Sequence, residues 1–199
     1  MARILVFAGS ARRDSLNKKL ARAAARLARE AGAQATFVDL DDFPIPLYHG
    51  DLEAASGMPE HARRLRELFL AHDALLIASP ENNSSMSALL KNTIDWLSRD
   101  LGDGKGAASG LAPWRGKVAG LLAASPGAFG GVRALPHLRQ VLSALGVTVL
   151  GMQVVVPKAH EALSGDDAIT EERVANAVRA LVAALADTSA KLLPGAAAD

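Results

Sequence analysis

The sequence predicts an α/β fold: a doubly wound, three-layer sandwich on a five-stranded parallel sheet of order 2-1-3-4-5. Three observations lead there. Short apolar runs alternate five times with longer stretches of helical periodicity. The runs are nearly continuous in apolar residues, as strands covered on both faces are. Several of the turns that follow a run are built from Gly, Ser, Asn and Pro.

In chain order, Arg3 to Ala8 is the first strand. Leu16, Leu20, Ala24, Leu27 and Ala28 then recur at helical spacing, with Lys18, Lys19, Arg22, Arg26 and Arg29 on the opposite side. Gly32 stops that helix. Ala35 to Leu40 reads as the second strand, and a Pro-rich connection, Phe43–Asp51, follows. Long ordered loops of this kind are often functional. Pro59 suits a first turn, and Leu65, Leu68 and Phe69 carry a helix to Ala71. Ala74 to Ala78 is the third strand. Ser79–Ser85 leads into a helix from Met86 to Leu97, with Ser84 or Ser85 as its cap. Gly102 to Gly110 is a Gly/Ala/Ser insertion, read as mobile. Lys117 to Ala124 is the fourth strand, Ser125–Gly131 its loop, and Val132 to Leu145 a helix ended by Gly146. Val147 to Val156 holds the fifth strand, interrupted at Gly151, and a last helix runs from Thr170 to Leu192. One domain covers residues 1–193, and Pro194–Asp199 reads as a frayed tail.

Composition narrows the class. Of the 199 residues half are apolar, ample for one buried core. Lysines and arginines number 22 and acids 21, interleaved, so no nucleic-acid surface is expected. Cysteine is absent, which excludes disulfides, thiolate catalysis and cysteine metal sites and suits a cytoplasmic protein. The five histidines show no metal spacing, so no metal is expected. No apolar stretch is long enough to span a bilayer, and Met1 to Ala11 reads as a strand rather than a leader.

In a sheet of order 2-1-3-4-5 the ligand crevice lies beyond the carboxyl ends of strands 1, 3 and 4. Three loops then meet at one rim: Gly9–Asn17, Ser79–Ser85 and Ser125–Gly131. The first opens a helix whose leading N–H groups lack intrahelical partners and so favour an anion, phosphate above all. A plain turn with Ser15 as N-cap reads equally well from that loop alone. The second loop offers backbone amides, the Glu81 carboxylate and the Asn82 and Asn83 amides to the edge of a polar heterocycle. In the third, Gly127, Gly130 and Gly131 are expected to let a flat ligand approach closely. A phosphate site plus a flat heterocycle, without a Walker lysine or a G-x-G-x-x-G run, points to a mononucleotide such as FMN.

The chain resembles the NAD(P)H-dependent FMN reductases, a branch of the flavodoxin-like proteins that includes flavin, quinone, chromate and azo-compound reductases. The resemblance rests on G-S-x-R-x-x-S-x-N at Gly9 to Asn17 and on S-P-E-x-N at Ser79 to Asn83, running into L-K-N-x-I-D-W at Leu90 to Trp96. A third match is S-P-G-x-x-G-G at Ser125 to Gly131, followed by Leu135-Pro136-His137-Leu138-Arg139. It implies that Ser10, Arg12, Ser15, Leu16 and Asn17 hold the FMN phosphate, with Arg12 as the charged partner. It places Pro80, Glu81, Asn82, Asn83 and Ser84 along the isoalloxazine edge, largely through backbone groups, and Ser125 and Gly127 on the ring's other side. One position departs: Asn82 stands where the family usually has an aromatic residue, most often Tyr.

The implied activity is hydride transfer from NADPH or NADH to FMN, then reduction of a flavin, quinone or similar small acceptor by a homodimer or homotetramer. No catalytic side chain is required, because the cofactor carries the chemistry. Two other readings share the loops: a flavodoxin-like electron carrier, and a flavin-binding sensor module without reductase activity. Several residues also carry structural readings. Glu81 can cap the helix after strand 3, and Lys91, Asn92, Asp95 and Trp96 suit structural or interface roles. Arg13 and Arg139 read as solvated or ion-paired, and Tyr48 and His49 as surface-loop residues.

Overall fold

The computed structural model describes residues 2–101, 107–165 and 167–192. The readings for Pro194–Asp199 and for the first half of the Gly102–Gly110 insertion lie outside the described residues. The elements are β1 (Arg3–Ala8), α1 (Leu16–Glu30), β2 (Gln34–Val38), α2 (Gly50–Ser56), α3 (Glu60–Ala71), β3 (Ala74–Ala78), α4 (Ala88–Leu97), α5 (Ala107–Leu111), β4 (Val118–Ala124), α6 (Ala134–Ala144), β5 (Thr148–Val156), α7 (Ala159–Ala162), β6 (Leu163–Ser164), β7 (Ala168–Ile169) and α8 (Glu172–Leu192).

Strands β1 to β5 form one parallel sheet of order β2-β1-β3-β4-β5. The period-2 alternation of strand side chains splits the core into two layers. Ile4, Val6, Leu76 and Leu122 pack with α1 and α8 on one face. Leu5, Phe7, Leu75, Ile77 and Leu121 pack with α3, α4 and α6 on the other, around the fully buried Trp96 and Trp114.

Local chemistry explains where the elements depart from the sequence reading. Strand β2 ends at Val38 because the Asp39 carboxylate accepts the Asp41 N–H at 3.1 Å and opens a short 3-10 turn, Leu40–Asp42. Helix α2 interrupts the stretch between the Pro-rich loop and α3. It buries no residue, so no apolar stripe announces it. The interruption at Gly151 is a bulge inside one strand: Val149 pairs with Ala119 and Gln153 with Leu121, so Leu150 to Met152 face Gly120 together. Helices α6 and α8 begin two residues later than expected, at Ala134 and Glu172. The β6–β7 hairpin, two residues per strand, is too short to leave a periodic signal.

The Pro-rich loop is fastened to α4. Trp96 Nε1 donates to the Pro46 carbonyl at 2.8 Å, and Asn92 Nδ2 donates to the same oxygen at 3.0 Å. Asn92 Oδ1 in turn accepts the Tyr48 N–H at 2.8 Å. Asn92 and Trp96 therefore hold the loop, while Lys91 and Asp95 pair along the exposed side of the helix. At the carboxyl end of β2, Lys18 Nζ reaches Asp39 at 2.8 Å, with the lysine side chain only 3% exposed. This pair joins α1 to the turn beyond β2.

Candidate functional site

The site starts where β1 ends. Gly9 N–H donates to the Ala78 carbonyl at 2.9 Å, extending the sheet register, and the Gly9 carbonyl accepts the Ser87 hydroxyl at 2.6 Å. Ser87 Oγ also accepts the Leu90 N–H at 3.1 Å, so Ser87, rather than Ser84 or Ser85, caps α4. A Cβ on Gly9 would lie 2.9 Å from Leu90 Cβ and 3.1 Å from Ser87 Oγ. Gly9→Ala is therefore expected to push α4 off the rim and cost about 1–3 kcal/mol. Chemical denaturation would measure it, and an unchanged midpoint would refute the contact.

The loop that follows presents donors. Arg12 is exposed, its backbone N–H meets Ser10 Oγ at 3.3 Å, and its guanidinium forms no ion pair among the described residues. Ser15 caps α1 by accepting the Lys18 N–H at 3.3 Å. The Leu16 and Asn17 amides open the helix with no acceptor inside it, an arrangement that favours an anion. The buried Asn17 amide clamps the far side: Nδ2 donates to the Ala124 carbonyl and Oδ1 accepts the Ala124 N–H, both at 2.9 Å. It thereby locks the start of α1 to the end of β4.

The loop after β3 is a tight turn. Asn82 N–H donates to the Ser85 carbonyl at 2.9 Å, and Ser85 N–H to the Asn82 carbonyl at 3.0 Å. Asn83 and Ser84 occupy the left-handed region, at φ 49° and 62°. Asn tolerates that region and Ser does so at some cost, which the surrounding bonds offset. This turn keeps Ser84 and Ser85 from capping α4, and it uses the Asn82 N–H internally.

Glu81 leaves the turn in the other direction. Its carboxylate, 9% exposed, accepts the Arg133 Nε–H at 2.7 Å and the Arg133 backbone N–H at 2.9 Å, and it also meets Arg133 Nη2. Glu81 thus caps α6, the helix after β4, rather than the helix after β3. The Arg133 side chain first, and then the backbone amides of Arg133 and Ala134, hold the Glu81 carboxyl below its ordinary value of 4.5, against the opposing effect of burial. A depressed carboxyl stabilises the fold above its unfolded value, and that contribution is lost as pH falls through the folded value. Stability is therefore expected to decline below pH 4.5, and Arg133→Met is expected to flatten that part of the profile. Thermal melts of both proteins from pH 6 down to about 3 check this, since Asp and Glu carboxyls titrate in that range. Parallel profiles would count against it.

The glycines after β4 serve the protein's own packing. Gly130 and Gly131 have φ of 60° and 89°. A Cβ on Gly130 would lie 2.5 Å from Val155 Cγ1, and one on Gly131 3.1 Å from Ala123 Cβ. The close approach expected of a ligand is thus made by β4 and by the end of β5. Gly127 N–H donates to Ser125 Oγ at 3.1 Å, and the Gly127 carbonyl accepts from Gly130 and Lys158. Phe129 stands 66% exposed on this loop, with the Arg133 guanidinium 5.3 Å above its ring.

The three loops enclose a cleft of about 540 Å³. Of the residues singled out from the sequence, Ser10, Arg12, Ser15, Leu16 and Asn17 line one end. Pro80, Glu81 and Asn82 line a second wall, and Ser125 lies across from them. Asn83 faces an adjoining cleft instead, while Ser84 and Gly127 line neither. Gly9, Ala11, Ser87, Ala88, Leu89, Ala124 and Pro126 complete the lining. Nothing in the sequence separates Ser87 from its neighbouring serines or marks Arg133. Both act through contacts with residues about fifty or more positions away. Among the described residues no three His, Cys, Asp or Glu side chains gather as a metal site, and no helix is long and apolar enough to cross a membrane.

The donor set fits a flavin mononucleotide: an anion-favouring helix start with a cation beside it at one end, a polar-edged slot at the other, and a volume typical of small-ligand sites. Sheet order and cleft together define the chain as a flavodoxin-like α/β protein with a small-ligand cleft at the carboxyl ends of β1, β3 and β4. It belongs to the NADPH-dependent FMN reductase family, whose model matches residues 2–161. A 2-hydroxy-1,4-benzoquinone reductase of a Burkholderia species is 38% identical over 159 residues, 80% of each chain. An NAD(P)H-dependent FMN reductase of Pseudomonas aeruginosa is 35% identical over 184 residues, 92% of each chain. The solved flavoenzyme NAD(P)H:(acceptor) oxidoreductase of Paracoccus denitrificans superposes with a TM-score of 0.79 at 32% identity, covering 96% of this chain and 98% of its own.

Proposed function

We propose that the cleft holds FMN with its phosphate at Gly9–Asn17, and that the protein reduces small quinones with electrons from NADPH or NADH. The observation that carries this reading is the convergence of the β1, β3 and β4 loops on one cleft with an anion site at its end. When bound, FMN supplies two-electron transfer between a nicotinamide and an acceptor. The chain's residues do the rest. Arg12, the Ser10 hydroxyl and the first amides of α1 hold the phosphate. Pro80 to Asn82 and Ser125 flank the ring on two sides. Asn17 keeps the β4 loop at the right distance from α1. Glu81 and Arg133 tie the loops after β3 and β4 together.

The whole described chain acts as one domain in this reading. We place it in the cytoplasm as a homodimer or homotetramer, supported by the family membership and the absence of cysteine. Purified protein is expected to take up FMN and show its visible absorption. Anaerobic mixing with NADPH is expected to bleach that absorption on the timescale of turnover, and a 1,4-benzoquinone to restore it. Protein that takes up no added FMN would sink the proposal. Flavin that binds but bleaches far more slowly than turnover would make it an electron carrier.

A further inference from the structure

The edge strand β5 carries a further cleft, of about 350 Å³, between its carboxyl end and the start of α8. It shares no lining residue with the cleft formed by the three rim loops. Val154 and Pro157 give it one apolar wall, and Val174 and Ala177, on one face of α8, give it the other. Two residues of opposite charge also line it: Glu171, just before α8, and Arg173, in its first turn. Both are exposed, and neither side chain forms an ion pair or a hydrogen bond among the described residues. Side chains two positions apart at a helix start do not face each other, so the pair flanks the cleft instead of neutralising itself. The leading N–H groups of α8 add to the preference for an anion on the Arg173 side.

We infer that this cleft binds a small zwitterion with an apolar tail, of the class of the aliphatic α-amino acids. The ligand's carboxylate meets the Arg173 guanidinium, whose planar fork suits it, and its ammonium meets Glu171. Its tail lies against Val154, Val174 and Ala177. A plain carboxylate would bring a like charge to Glu171, and a plain amine would do so to Arg173, so each half of the ligand is disfavoured alone. The size agrees: the cleft is smaller than the 540 Å³ of the rim cleft and stands near the lower bound for small-ligand sites, about 300 Å³. Binding there involves no flavin and no electron transfer, and the inference is independent of the FMN reading.

The probes are L-leucine, 4-methylpentanoate and 3-methylbutylamine, the zwitterion and its two halves. Each is titrated into the isotope-labelled full chain, and amide shifts are read by NMR. Leucine is expected to move the Val154, Val174 and Ala177 amides and to bind about tenfold more tightly than either half. Arg173→Gln is expected to weaken leucine about tenfold and to leave 3-methylbutylamine no weaker. Glu171→Gln is expected to weaken leucine equally and to leave 4-methylpentanoate no weaker. Both side chains are exposed, so the fold is expected to survive either change, and a thermal melt checks it. Three probes of equal affinity, leucine binding unchanged in both variants, or no leucine-dependent shift at these amides at millimolar concentration overturns the site. No arm depends on bound flavin, so a failure here leaves the flavin reading standing, and protein that takes up no FMN leaves this test intact.

Discussion

Asp39→Ala is expected to destabilise the protein by about 3–5 kcal/mol, because it strips the partner from a buried ammonium. Lys18 sits inside the first turn of α1 with its side chain 3% exposed and its Nζ 2.8 Å from Asp39. Arg22 approaches the same carboxylate at 3.6 Å, and the carboxylate also starts the 3-10 turn through the Asp41 N–H. The substitution therefore removes a counter-charge and a cap together. For a domain of this size the melting temperature is expected to fall on the order of 10 °C. Adding Lys18→Met is expected to restore most of the loss, since a buried ion pair replaced by apolar groups costs little net stability. If the single variant melts within a degree or two of the wild type, the pair is solvated and its structural role is wrong. The effect reaches the cleft as well, because Lys18 follows directly on the amides proposed to meet the phosphate.

Arg12→Ala is expected to raise the dissociation constant for FMN about 10- to 100-fold, the range for one hydrogen bond to a charged group. Arg12 is exposed and forms no ion pair among the described residues, so the fold is expected to change by less than about 0.5 kcal/mol. Arg12→Lys is expected to fall between, since an ammonium lacks the planar fork that grips two phosphate oxygens. Fluorescence titration of free FMN reads all three proteins. The wild-type advantage is expected to shrink as salt is raised, because an exposed charge is screened. Equal affinities for the wild type and Arg12→Ala would move the phosphate elsewhere, with Ser10, Ser15 and the helix start left as the nearest donors.

The fold was legible because its signals are local. Five apolar runs separated by helical stretches allow few topologies, since parallel strands need crossovers and crossovers are right-handed. Of these, 2-1-3-4-5 is a common order for a five-stranded doubly wound sheet, and it brings the loops after β1, β3 and β4 together. Elements without a buried stripe left no such trace, as α2 shows. The motifs around Gly9 and Ser79 placed Ser10, Arg12, Ser15 to Asn17 and Pro80 to Asn82 on one cleft. Gly130 and Gly131 misled. A glycine marks a place where a side chain does not fit, but not what occupies the space, and at Gly130 and Gly131 the occupants are Val155, Pro157 and Ala123.

By itself, then, the sequence determined the layer architecture, the strand order and the identity of the three rim loops. Strand and helix periodicity are written in neighbouring residues. Tertiary structure alone decided the pairings across the rim. Glu81 reaches Arg133, Ser87 reaches the Gly9 carbonyl, and Asn17 reaches both polar groups of Ala124. Each joins residues more than fifty positions apart, where no local spacing constrains the partner. Geometry also decided that Asn82 lies between two clefts.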